Sequence, residues 1–190
     1  MNTGLKKATS GMKGKPFLTP VWLTGLALAV VLSLGAWLWC TADSTTIIVI
    51  RHAEKEATGA PDPPLSAAGQ ARAGVLVHMF GNAGSPGHVS AIFCTPLARS
   101  RMTIAPLAAA LGLTPVVLPA DDIDALARHA LRDGAGGRVL IVGHADTVPR
   151  IVAALSGKKD IPAIGDQEYG TMYIVTVPGI GRANVLRMSY

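Results

Sequence analysis

Two arginines and two histidines, each placed at or just beyond the end of an apolar run, are the residues of this chain that could do chemistry together. Thr45 to Ile50 is mostly β-branched and reads as a strand buried on both faces, ending abruptly at Arg51-His52. Val89 to Cys94 reads as a second buried strand, and Arg99 follows it on the first turn of the next expected helix. Arg138 to Gly143 is a third, ending on His144. In a parallel sheet these ends lie on one carboxyl edge, where open α/β sheets bind ligands. Two guanidinium forks and two imidazoles on one edge match a phosphoryl group. A neutral imidazole can be its nucleophile or a general base.

The elements that must position these groups alternate. A loop rich in Gly, Pro and acids, Glu54 to Pro64, follows the first strand and can line a site. Ser66 is the expected N-cap of a helix reaching about Phe80, with Leu65 just before it. Thr95 is the expected cap of a helix running from Pro96 to Leu111 and stopping at Gly112, with Pro106 kinking or breaking it. A brief strand, Pro115 to Leu118, precedes a helix with an acidic start at Asp121-Asp122-Ile123-Asp124 that reaches Leu131. Another helix follows His144, to about Leu155, and two strands close the chain, Thr171 to Val177 and Ala183 to Met188. This alternation implies an α/β fold, a three-layer α/β/α sandwich with a mostly parallel central sheet, occupying residues 44–190.

The N-terminal part has a different character. Lys6, Lys7, Lys13 and Lys15 make residues 1–16 basic, and the 23 residues from Phe17 to Trp39 carry no charge. That is long enough for one transmembrane helix, a signal-anchor over residues 17–40 or a cleaved signal peptide. The lysines place the N-terminus in the cytoplasm and the body on the periplasmic side of an inner membrane, or free there after cleavage. The formal net charge of +5 is concentrated in that leader. The body is nearly neutral, which gives no reason to expect a nucleic-acid partner. Cys40 and Cys94 are read as unpaired, Cys94 as a small core hydrophobe, and no Cys/His spacing suggests zinc.

Arg51-His52-Ala53-Glu54, Leu65-Ser66-Ala67-Ala68-Gly69-Gln70-Ala71-Arg72-Ala73, Cys94 to Thr103 and Val142-Gly143-His144 occur in the order of the motifs of the histidine phosphatase superfamily, the phosphoglycerate mutase-like proteins, and the chain resembles that family from about Thr45 to Tyr190. The resemblance implies that His52 takes the phosphoryl group in line and becomes a phosphohistidine. It implies that Arg51, Arg99 and His144 bind the phosphate oxygens and stabilise the transition state, with no metal or other cofactor. It leaves the general acid open. Glu54 and Asp146 are the leading carboxylates, Glu56 and Asp62 the further ones, and Asp146 could equally be a helix N-cap. Arg101, His78, His88 and His129 read as surface or packing residues, and Arg150 reaches phosphate only if its helix N-terminus faces the pocket.

The function these readings favour is a metal-independent phosphomonoesterase of the histidine acid type. With few residues between Arg99 and His144, the site should be open enough for a bulky phosphorylated partner, either a small molecule or the sugar phosphate of an envelope glycolipid. The alternatives are a phosphate-binding or scaffold protein with little turnover, a phosphomutase, and a phosphatase of protein phosphohistidine.

Overall fold

A computed structural model describes residues 20–40, 44–82, 84 and 88–190. The chain forms two compact units, Met1–Cys40 and Thr41–Tyr190. In the first, helix α1, Val21–Cys40, contains 20 residues with no acidic side chain in its first turn and no basic one in its last. The expected membrane crossing from Phe17 to Trp39 lies partly outside the described residues. Among those described, no helix is long and apolar enough to cross a membrane.

The second unit contains strands β1 (Ser44–Arg51), β2 (Val89–Cys94), β3 (Val116–Val117), β4 (Arg138–Gly143), β5 (Thr171–Pro178) and β6 (Asn184–Ser189). Its helices are α2 (Ala67–Phe80), α3 (Ala98–Leu111), α4 (Ile123–Asp133) and α5 (Thr147–Ser156). The strands form one sheet in the order β3-β2-β4-β1-β5-β6. Strands β1 to β4 pair in parallel. Strands β5 and β6 add on antiparallel, so the sheet is mostly parallel, as expected, and mixed at that edge. The reason is local: after α5 the chain returns through residues 157–170 without another crossover helix, and β5 turns straight back into β6.

Alternation along β1 explains the three layers. Ile47 and Val49 share one core with Leu126 of α4 and with Val148, Ile151 and Val152 of α5. Ile48 and Ile50 point the other way, into a core with Leu76 of α2 and Ile104 and Leu107 of α3. Each such side chain contributes about 1.5–3 kcal/mol when fully buried. Helices on both faces therefore hold β1 inside the sheet.

The register brings the chemistry to one level. Arg51 of β1 lies opposite Gly143 of β4, and Cys94 of β2 lies opposite Val142. His52, Thr95 and His144, the next residue of each strand, consequently leave the sheet side by side.

Helix α3 runs to Leu111 and ends at Gly112, at φ 66°, as expected, and the break allowed for at Pro106 does not occur. Pro106 is exposed, where the carbonyl it leaves unpaired costs least. Thr95 does not cap it either. The first residue of α3 is Ala98, and its N–H donates to the carboxylate of Asp62 from the loop after β1.

Candidate active site

The nucleophile expected at His52 is buried and held in one orientation. Its backbone N–H donates to the Gly143 carbonyl, continuing the β1–β4 ladder. Its Nδ1 lies 2.8 Å from the Ala53 carbonyl. Because a carbonyl can only accept, Nδ1 carries the proton and Nε2 keeps its lone pair. Burial lowers the His52 pKa to about 4, the Ala53 contact opposes that, and His144, Arg99 and Arg51 lower it further. The ring is therefore neutral near pH 7, as a nucleophile must be.

His144 is held from the opposite nitrogen. Its ring centroid is 5.3 Å from that of His52, and its Nε2 is 3.0 Å from Thr95 Oγ1. Thr95 gives its own proton to Ser100 Oγ at 2.7 Å, so it accepts from His144 Nε2–H. Nδ1 of His144 is buried without a partner. Burial and then Arg99 lower the pKa of this ring, while Asp146 and Asp62 act to raise it.

The arginines complete the pocket. Arg51 Nη1 donates to the carbonyls of Gly165 and Asp166 at 2.9 Å, and its guanidinium lies 4.1 Å from the Tyr169 ring centroid. Arg99 meets Asp62 at 3.5 Å. Both Nε atoms are buried and unpartnered. Among the described residues four buried side-chain polar atoms have no partner, and three of them are Arg51 Nε, Arg99 Nε and His144 Nδ1. An unpaired buried polar group costs about 1–3 kcal/mol, and an anion here would accept from both arginine Nε–H groups, and from His144 Nδ1 once that ring takes up a proton.

The two leading carboxylates differ in circumstance. Glu54 receives Arg72 Nε at 3.0 Å and Nη2 at 2.7 Å. That hydrogen bonding holds the Glu54 carboxyl below its usual pKa, so it stays ionised and is poorly suited to donate a proton. Asp146 stands at the N-cap position of α5, but its side chain makes no capping bond. It is exposed and acts on His144 electrostatically. Glu56 is exposed in the loop, and Asp62 is engaged by Ala98 and Arg99.

Arg101, His78 and His88 are exposed, and His129 pairs with Asp133 at 3.1 Å, in keeping with surface roles. Arg150 is also exposed. Cys94 is free and buried, and burial raises its thiol pKa. Among the described residues no group of three or more His, Cys, Asp or Glu could hold a metal ion.

Several functional contacts are not evident in the sequence. Thr95 reads there as a helix cap rather than as the partner of His144. Thr103 accepts the Ala53 N–H at 2.9 Å and donates to the Arg99 carbonyl, tying two motifs together. Its only signal is its place within the Cys94 to Thr103 motif. Tyr169 and the carbonyls beside it have none, because backbone acceptors carry no sequence signature.

The model of the histidine phosphatase superfamily (branch 1) matches residues 47–121. Over those residues the chain is similar to that superfamily. Among solved structures it is similar to the protein histidine phosphatase SixA complexed with tungstate, at 18% identity and TM-score 0.61, covering 76% of this chain and 96% of that one. A putative phosphohistidine phosphatase SixA from Nakamurella multipartitia matches at 23% identity and TM-score 0.52, covering 78% and 97%. A mycobacterial glucosyl-3-phosphoglycerate phosphatase matches at 16% identity and TM-score 0.59, covering 75% and 97%. At these identities the structural likeness establishes the fold. No curated protein matches the chain.

Proposed function

We propose that this protein is a phosphomonoesterase acting through a phosphohistidine on His52. The observation that carries the reading is the trio of unpartnered buried atoms, Arg51 Nε, Arg99 Nε and His144 Nδ1, around a neutral His52. The match of residues 47–121 to the family model and the likeness in fold to phosphatase structures support phosphatase activity in general.

His52 Nε2 attacks phosphorus in line, the N–P bond forms, and the ester P–O bond breaks. Arg51, Arg99 and His144 stabilise the charge on the transferring oxygens. Asp146 is the carboxyl we assign to the departing oxygen, since Glu54 is committed to Arg72. Asp146, having given its proton to the departing oxygen, takes one from water as water attacks phosphorus, the N–P bond breaks, and orthophosphate leaves. The side chains named supply the positive charge this sequence of steps requires, so the reading includes no metal.

The finer context rests on the sequence. Lysines followed by 23 uncharged residues support an N-terminal membrane anchor and a periplasmic body, and an exported open site favours the sugar phosphate of an envelope glycolipid. A second reading, protein phosphohistidine as substrate, draws on the likeness to SixA over 96% of that chain. Hydrolysis of p-nitrophenyl phosphate by residues 44–190 in EDTA tests the reaction class. Sugar phosphates and a phosphohistidine protein, assayed side by side, test the substrate. Activity restored only by added metal would overturn the metal-free reading. Asp146→Asn should slow alkyl phosphates much more than p-nitrophenyl phosphate, whose leaving group needs no proton.

A further inference from the structure

The segment between α5 and β5 lies beyond residues 47–121, the span matched by the family model, yet it reaches the pocket. Its shape is fixed by Glu168, whose carboxylate accepts the Gly165 N–H at 3.2 Å, the Thr171 hydroxyl and an Arg187 N–H. Ile164 is buried in the core at the start of the turn. The fold of the turn aims three carbonyls, Gly165, Asp166 and Glu168, at Arg51 Nη1, at 2.9, 2.9 and 3.3 Å. Tyr169 then covers the guanidinium plane and approaches the His52 ring to 6.1 Å between centroids.

We propose that Gly165–Tyr169 is a clamp that positions Arg51 for phosphate binding, with Tyr169 as its lid and Glu168 as its brace. Fixing one terminal nitrogen and one face leaves the buried, unpartnered Nε edge of the fork for an oxyanion. The cation over an aromatic face is held without using up those donors. Tyr169 and Glu168 are positioning residues, acting through Arg51. The inference rests on the proposed phosphate site but not on turnover.

The test is inorganic phosphate binding by calorimetry, alongside steady-state kinetics and thermal melting, on residues 44–190, which lie within a compact unit of their own. Tyr169→Leu should weaken phosphate binding about tenfold and raise KM more than it lowers kcat, while Tyr169→Phe, which keeps the aromatic face, should bind like wild type. Glu168→Gln should weaken phosphate binding by a smaller factor. Equal phosphate affinity in wild type and a folded Tyr169→Leu would overturn the clamp, as would equal losses in the leucine and phenylalanine variants. If wild type binds phosphate but hydrolyses no ester, the clamp stands and the phosphatase reading fails.

Discussion

The loops that follow β1 and β4 begin in the same way and end up doing opposite things. Each starts with a histidine at the carboxyl edge, and the two rings are 5.3 Å apart. After β1 the ring is tied through Nδ1 to the Ala53 carbonyl, which leaves Nε2 free. After β4 the ring is tied through Nε2 to Thr95, which leaves Nδ1 free. Which nitrogen is tied therefore decides which one faces the site: the proposed nucleophile presents Nε2, whereas His144 presents Nδ1, which donates to an oxyanion once that ring has taken up a proton.

The largest expected effect is loss of the nucleophile: His52→Ala should reduce turnover by at least ~10³-fold. His144→Ala should leave slow, measurable turnover, and equal losses in single-turnover rates would break the comparison. Arg99→Ala should cost about 10²–10³-fold in kcat/KM, the scale of losing one transition-state donor. Thr95→Val frees His144 Nε2 and should cost up to about tenfold, the scale of one hydrogen bond.

The histidines should also differ on titration. With its pKa lowered to about 4, His52 should remain neutral in ¹⁵N NMR down to that pH. The unfolded chain protonates this position near pH 6.5, so acidification toward pH 4 favours unfolding by up to about 3 kcal/mol, an effect His52→Asn should remove. Added phosphate should protonate His144 and leave His52 neutral. The smallest effect belongs to Glu54→Gln, which should lower stability by about 1 kcal/mol above the usual carboxyl pKa. Because folding lowers the Glu54 pKa, that difference should vanish as pH falls through the folded value.

Much of this was legible in the sequence where side-chain pattern decides structure. The buried runs gave β2 and β4 their ends, and Ser66 caps α2 by accepting the Gly69 N–H. Gly69 itself allows close approach, since a Cβ there would lie 2.1 Å from the Glu54 carbonyl oxygen. The antiparallel pairing of β5 was not legible, because an apolar strand reads alike in either direction. Neither was the choice between ring nitrogens, which depends on the Ala53 carbonyl and on a threonine 49 positions from His144.

The most direct test of the central claim is to trap the phosphorylated intermediate by rapid alkaline quench and find both the residue and the nitrogen carrying phosphorus, by mass spectrometry and ³¹P NMR. The expected result is phosphorus on Nε2 of His52 and none on His144. Phosphorus on His144, on Nδ1 of His52, or on no histidine of a protein that is turning over substrate would contradict the account.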